Sequence, residues 1–302
     1  MTTRATTRPT SSSRPGCSTS ATRSRSSSRK RPQTSSTVTG ASSSRSQTRS
    51  RTPTGKTASP SATRSAPRSR RSAPVSVADG TEPGLFLPGY FARGRSYEPG
   101  LPEGWSALQP PLSVLSSGSL ERLRDWAVHE LERRPGRVIL GGHSMGAVVA
   151  VLAGTRAPER VAGLVLVGPS ALPIVKPVWR MTYDFGRQVV AGRFGPGDLL
   201  RPLADLARSP RAARRLARSL CRLDLSSELA AVRDAGIPAT VIACSTDTLT
   251  TPESCRRIAE LLGGTYRELH AAGGHVWMFG SWHLLARELE RAGDHARRTI
   301  EA

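Results

Sequence analysis

The stretch "VILGGHSMGA", Val138 to Ala147, decides the fold. An apolar run ends in Gly142-His143-Ser144-Met145-Gly146, and a second apolar run, "AVVAVLAG", follows at once. A short continuous apolar run bounded by glycines reads as a buried strand, and the longer run behind it as a helix. The junction matches G-x-S-x-G. A residue presented on a tight strand-to-helix turn needs strained backbone angles, and its neighbours must be small where the turn meets the sheet. The pattern therefore predicts that the Ser144 hydroxyl stands clear of the sheet's C-terminal edge. It also puts the N–H of Met145 at a helix N-terminus, where developing negative charge is stabilised.

A serine hydroxyl is a poor nucleophile until a base takes its proton, and in this motif the base and its orienting carboxylate come later in the chain. Of six histidines, His143 lies inside the motif and reads as structural. His129 and His283 fall in helical stretches, His270 closes a strand and His295 sits in the polar C-terminal tail. His275 lies in the Gly-flanked loop "AAGGHVWMF" after the last apolar strand, which makes it the candidate base. In "VIACSTDTLTTPE", Asp247 stands three residues beyond a buried strand and is the only acid between Asp234 and Glu253. Asp234 precedes that strand and Glu253 falls in the next helix. Asp247 is the candidate carboxylate; its bland reading is a turn or helix-cap residue.

Outward from the motif, short apolar runs alternate with amphipathic stretches. Strands are predicted at Gly84–Gly89, Arg137–Gly142, Val161–Gly168, Ala239–Cys244 and Thr265–His270, with a weak one at Ser106–Gln109. Helices are predicted at Ser119–Arg134, with Ser119 as cap, after Ser144, after Thr251 and at Ser281–Ala292. Near-continuous apolar strands alternating with helices imply a mostly parallel sheet covered by helices on both faces, an α/β fold. Residues 171–235 break the alternation. "PGDLLRPLADLARSPRAARRLARSLCRL" has helical spacing, with Ala212, Leu216, Leu220 and Leu223 on one face. This reads as a helical insertion covering the strand ends where ligands bind. It carries 12 Lys+Arg against 6 Asp+Glu. An anionic substrate is one reading of that excess, and a solvated helix surface is the favoured one.

The formal net charge of the 302 residues is +21, but it is unevenly spread. Residues 1–78 hold 16 of the 44 Lys+Arg and no acid, leaving 28 basic against 23 acidic residues, or +5, for the remainder. The first 78 residues are Ser, Thr, Arg and Pro with almost no large apolar side chains, so they cannot bury enough surface to offset the entropy of ordering. They read as a disordered basic segment ahead of a folded domain at 79–302. Nucleic-acid contact through this segment is one function, weakened by the absence of any aromatic for base stacking. The tract is similar in composition to an organellar transit peptide but shows no amphipathic helix, and the bland reading is a wrongly chosen start codon or a shifted reading frame in GC-rich DNA. Cys17, Cys221, Cys244 and Cys255 show no paired spacing, so no disulfide framework and no zinc site is expected. There is no phosphate loop, and no cofactor is expected. No run is long enough to span a membrane, which makes a cytoplasmic protein the default.

Taken with these residues, the chain resembles the α/β-hydrolase superfamily. Three blocks carry the resemblance over about residues 84–293: "LFLPGYFARGRSYEP", the block around Ser144, and "IPATVIACSTDTLTTPESCRRIAELLGGTYRELHAAGGHVWM". The resemblance implies a Ser144–Asp247–His275 triad acting on a small-molecule acyl substrate, as a carboxylesterase-like serine hydrolase. Thioester, lactone or C–C hydrolysis and acyl transfer share the same triad. Epoxide and haloalkane chemistry is disfavoured, because the superfamily uses Asp where this chain has Ser144. The second oxyanion donor usually follows a His-Gly pair. Here Pro88-Gly89-Tyr90 stands at that place, so the N–H groups of Tyr90 and Met145 form the implied oxyanion hole. Phe91 and Trp277 are the candidate pocket side chains. The family also has two more strands before Gly84. Only Ala73–Gly80, "APVSVADG", could supply one; two readings stand, a trimmed fold without its first two strands, or an authentic N-terminus lost to a shifted reading frame.

Overall fold

The computed structural model describes residues 84–174, 176–191 and 196–301. The basic segment at 1–78 and the strand candidate Ala73–Gly80 lie outside the described residues. Six strands form one parallel sheet: β1 (Gly84–Leu87), β2 (Trp105–Ala107), β3 (Val138–His143), β4 (Val161–Val167), β5 (Ala239–Cys244) and β6 (Thr265–Leu269). Their order is β2-β1-β3-β4-β5-β6. All neighbouring pairs are parallel, so every strand's C-terminal end lies on one edge.

The strands read as unbroken apolar runs because both faces are buried, and alternate residues feed two separate cores. Leu85, Leu87, Val138, Leu140, Leu164, Leu166 and Val241 point to one core. There they meet α2 (Leu120–Glu132), α3 (Met145–Arg156), α7 (Ser226–Asp234) and α8 (Pro252–Leu262). Phe86, Ile139, Val165, Val167 and Ile242 point to the other, closed by Trp277 and by Leu285, Leu289, Ala292 and Ala296 of α9 (Trp282–Glu301). A four-residue helix α1 (Leu112–Leu115) precedes α2. Ser119 caps α2: its side chain accepts from the Arg122 N–H.

One helix boundary differs from the sequence reading. The last helix does not stop at Ala292 but runs on to Glu301, so His295 is helical rather than part of a tail. The reason is Ala296, buried against Gly163 of β4, which extends the apolar stripe one turn beyond the point where polar residues dominate. The long helical stretch in the insertion is two helices, α5 (Pro196–Arg208) and α6 (Pro210–Arg222). Pro210, which has no N–H to continue a helix, opens the second. They follow α4 (Val178–Ala191) and precede α7, so among the described residues four helices lie between β4 and β5.

Candidate active site

The first functional constraint is steric. Ser144 follows β3 with φ 54° and ψ −113°, outside the allowed regions for a side-chain-bearing residue. The two glycines make room for that turn. A Cβ on Gly142 would sit 2.4 Å from the backbone carbon of Gly146, and one on Gly146 would sit 2.2 Å from the Leu87 carbonyl oxygen. Both obstacles are backbone and cannot move aside. The only other non-glycine residue with positive φ among those described is Phe91, at φ 50°, in the loop after β1. Strain of this kind persists only where surrounding structure enforces it, and it gathers at functional sites.

Parallel strands bring three loops to the same edge. Ser144 leaves β3, Asp247 follows β5 and His275 opens the 3-10 turn (Gly274–Gly280) after β6. His275 Nε2 lies 2.9 Å from Ser144 Oγ, and His275 Nδ1 lies 2.8 Å from Asp247 Oδ2. A carboxylate only accepts, so the proton sits on Nδ1 and Nε2 is left as an acceptor facing the serine hydroxyl. Ser144, Asp247 and His275 are all buried.

Asp247 divides its oxygens between two tasks. Oδ1 accepts the backbone N–H groups of Leu249, at 2.7 Å, and Thr250, at 3.0 Å, which folds the loop. Oδ2 faces the imidazole and also accepts from the Thr250 hydroxyl at 2.7 Å. One oxygen of Asp247 thus does the work of a turn residue, while the other faces the imidazole. Burial by itself would raise this carboxyl. The facing His275 and the hydrogen bonds from His275, Thr250 and Leu249 outweigh it and hold the group below the usual carboxylate range. Thr250 Oγ1 is also 3.1 Å from His275 Nδ1, so it borders both partners. Gly168, at the end of β4, leaves space for this pair: a Cβ there would lie 3.1 Å from Thr250 Oγ1.

His143 is buried and bonded at both nitrogens. Its Nε2 is 2.9 Å from the His275 carbonyl oxygen, and its Nδ1 is 2.8 Å from the Tyr97 hydroxyl. The carbonyl can only accept, so His143 carries its proton on Nε2 and Tyr97 donates to Nδ1. Tyr97 in turn accepts the Gly89 N–H at 3.3 Å. Burial first, and then the neighbouring His275, push His143 down to about 3, so it stays neutral. Sequence reasoning gave no role to Tyr97, Thr250 or Gln188, because nothing in their local pattern shows what they meet across the fold.

The expected oxyanion donors sit on two elements. Met145 is the first residue of α3, whose leading N–H groups have no partner within the helix. Tyr90 follows Gly89 in the loop after β1, and its hydroxyl donates to the Ala213 carbonyl at 2.7 Å. Burial raises that phenol to about 12. The two candidate pocket aromatics lie in different cores. Phe91 packs with the α3 side, edge-on to the Tyr90 ring at 4.8 Å. Trp277 is 2% exposed in the core beneath α9.

The helices between β4 and β5 touch these loops from above. Gln188 of α4 accepts the His275 backbone N–H and donates to Thr248 Oγ1 at 3.0 Å. Lys176 reaches the Thr248 carbonyl. Asp205 of α5 pairs with Arg93 at 2.5 Å, beyond Phe91 in the β1 loop. No cluster of three or more His, Cys, Asp or Glu side chains among the described residues is placed to hold a metal ion.

Comparison with known proteins agrees with this architecture. No curated protein sequence matches the chain. Among solved structures, a hydrolase from Oleispira antarctica aligns with TM-score 0.58 at 16% identity, covering 72% of this chain and 92% of its own. An N-acyl homoserine lactone degrading enzyme aligns with TM-score 0.54 at 16% identity, over 70% and 92%. A lipase-esterase related protein from Clostridium acetobutylicum aligns with TM-score 0.51 at 15% identity, over 70% and 93%. At such identities the likeness speaks for the fold. The family description "alpha/beta hydrolase family" matches residues 85–288, from the first core residue of β1 to the buried Glu288 of α9. Since that span covers two thirds of the chain and takes in the sheet from Leu85 onward, the chain belongs to the alpha/beta hydrolase family and is an α/β-fold hydrolase.

Proposed function

We propose that the protein hydrolyses a carboxylic ester or a related acyl bond with Ser144 as nucleophile, His275 as base and Asp247 as its orienting carboxylate. The observation that carries this reading is the pair of contacts on one imidazole, 2.9 Å to Ser144 Oγ and 2.8 Å to Asp247 Oδ2. Ser144 Oγ attacks the acyl carbon while His275 Nε2 takes its proton. Asp247 stabilises the imidazolium that forms. The N–H groups of Tyr90 and Met145 bind the oxygen as it gains charge, in a buried setting where such donors act strongly. The C–O bond then breaks, and the leaving alcohol takes the proton from His275. Water attacks the acyl-serine, gives its proton to His275, and the acid leaves with Ser144 restored.

In this reading the strained loop at Tyr90-Phe91 borders the acyl group, and Trp277 supports the His275 turn from the core side. A fluorophosphonate probe tests the nucleophile: it labels Ser144 in the parent and fails to label Ser144→Ala. Removing the nucleophile lowers turnover by about four to six orders of magnitude. Near-parent turnover in that variant would refute the reading. A panel of p-nitrophenyl esters of graded chain length, run beside a thioester and a lactone, sizes the pocket and ranks the acyl bonds.

A further inference from the structure

We propose that the outer face of the helical layer formed by α4, α5 and α6 docks on an anionic lipid surface.

Seven large apolar side chains are exposed among the described residues, and six of them lie on two helices consecutive in the chain. They are Trp179, Tyr183, Phe185 and Val190 on α4, and Leu200 and Leu203 on α5. A soluble surface scatters such residues singly, and a cluster marks an interaction site. On α4 the arrangement is ordered. At about 100° per residue, Trp179, Tyr183 and Val190 fall within about 40° of one another, while Gln188 lies about 180° from Trp179. Gln188 is the side chain that reaches inward to His275 and Thr248. The aromatic stripe therefore faces away from the sheet. Exposed Arg180 and Arg187 lie along one side of it, and the Arg187 guanidinium lies 5.9 Å from the centre of the Tyr183 ring.

The neighbouring helix supplies charge. In α6, Ala212, Ala213, Leu216 and Leu220 are buried, and Arg211, Arg214, Arg215, Arg218 and Arg222 are all exposed. The helix contains no acid, and no salt bridge joins any of these five arginines to a carboxylate among the described residues. With Ser219 they line an open surface hollow. α6 packs against α4: the Cys221 thiol meets the Met181 sulfur at 3.8 Å, and the Ile174 N–H, shortly before α4, bonds the Cys221 carbonyl.

Three occupants fit parts of this surface. A nucleic acid matches the arginines and could stack on Trp179 and Tyr183, but Val190, Leu200 and Leu203 have no π-face to offer a base. A second copy of the chain could cover the apolar residues, but it would bring the same five unpaired arginines with it. A bilayer interface with anionic headgroups takes both sets. Aliphatic and aromatic side chains enter the headgroup–acyl boundary, and arginines beside them meet the phosphates.

The test uses the full chain carrying Ser144→Ala, so that no lipid is consumed, and reads binding alone. Its outcome is therefore separate from that of the catalytic reading. Phosphatidylcholine vesicles with and without phosphatidylglycerol are mixed with the protein and sedimented, and fluorescence quenching by brominated lipid is measured in parallel. Binding is expected to require phosphatidylglycerol and to weaken as salt rises. Neutralising Arg214, Arg218 and Arg222 to Gln lowers the affinity on the order of a hundredfold, at about 1 kcal/mol per cation near the surface. Quenching is expected in the parent and reduced in Trp179→Ala. The basic residues 1–78 are common to every variant, so any attraction they add cancels in the comparison. Because the substituted side chains are exposed, melting curves matching the parent serve as the folding control. The proposal is overturned if both variants sediment like the parent with no quenching difference. It is equally overturned if duplex DNA binding replaces vesicle binding, or if Trp179→Ala only splits a dimer that ignores vesicles.

Discussion

His143 Nε2 lies 2.9 Å from the backbone carbonyl of His275, which joins the residue before Ser144 to the loop that carries His275. The other side of the same ring meets Tyr97, and Tyr97 holds the Gly89 N–H one residue before Tyr90. One imidazole and one phenol thus tie together the loops after β1, β3 and β6. Tyr97→Phe keeps the ring and deletes the link. It leaves the His143 Nδ1 acceptor and the Gly89 donor buried without this partner, at a cost of about 1–3 kcal/mol each. The expected result is a melting temperature several degrees lower, together with a reduced rate of fluorophosphonate labelling. Labelling and melting equal to the parent would show that the link does no work.

The neutral state of His143 gives stability a pH dependence of known sign. Its folded value, about 3, lies below its free value of 6.5. Below 6.5 the unfolded chain binds a proton that the folded chain refuses, so stability is complete above 6.5 and declines as pH falls toward 3. Asp247, also held low when folded, adds to the loss at the acid end. Urea midpoints measured between about pH 7 and about pH 4.5 should therefore fall steadily. His143→Gln can keep both hydrogen bonds without titrating, and its midpoints should fall less steeply over that range. An equal slope in the variant would remove His143 as the cause.

Much of this architecture is legible in the sequence for a physical reason. Strands buried on both faces must be apolar throughout, so β3, β4 and β5 stand out as unbroken runs. Ser144 is legible because its turn admits only glycine at 142 and 146. Asp247 and His275 follow because a parallel sheet sends every strand's end to one edge. What the sequence hides is pairing across distance. Thr250, Tyr97 and Gln188 are ordinary polar residues until the fold sets them beside Asp247, His143 and the His275 N–H. The length of α9 was hidden for a related reason, since Ala296 signals burial only once Gly163 is known to lie beneath it.

Asp247 and Thr250 share the imidazole, and their substitutions should separate by size. Asp247→Asn lets the side chain donate toward Nδ1 and favours the wrong tautomer, so turnover should drop by about four orders of magnitude. Thr250→Val removes one neutral hydrogen bond to the carboxylate and leaves the Asp247–His275 contact in place. A loss of about tenfold, near the 1.4 kcal/mol equivalent of one bond, is expected. Ester turnover by both variants checks this ranking. Equal losses would mean that Thr250, and not the carboxylate charge, sets the ring.

Gly146 separates packing from chemistry. Its added Cβ would meet the Leu87 carbonyl oxygen at 2.2 Å, so Gly146→Ala must push β1 away from α3. Overpacking of this sort costs about 1–3 kcal/mol or more. Gly186, where a Cβ meets nothing within 4 Å, is the control on α4. Denaturant titration should show Gly146→Ala clearly destabilised and Gly186→Ala at or above the parent. Comparable stability for the two would contradict the close approach of β1 and α3.

Gln188 extends the site into the helices between β4 and β5. Its carbonyl oxygen accepts the His275 backbone N–H, while its amide donates to the Thr248 hydroxyl and to the Asp184 carbonyl. One side chain thereby fixes the loop bearing His275 against the loop bearing Asp247. Gln188→Ala leaves the His275 N–H buried without this acceptor and frees the two loops from α4. The expected effect is on kcat, with KM changing less, because the triad and not the pocket is disturbed. Gln188→Glu keeps an acceptor for the N–H and places a negative charge near His275. It should restore much of kcat, with KM again changing less. A purely structural Gln188 would lose stability and kcat together in both variants. Rescue of kcat by Glu at a melting temperature no higher than that of Gln188→Ala is the pattern that marks Gln188 as a positioning residue.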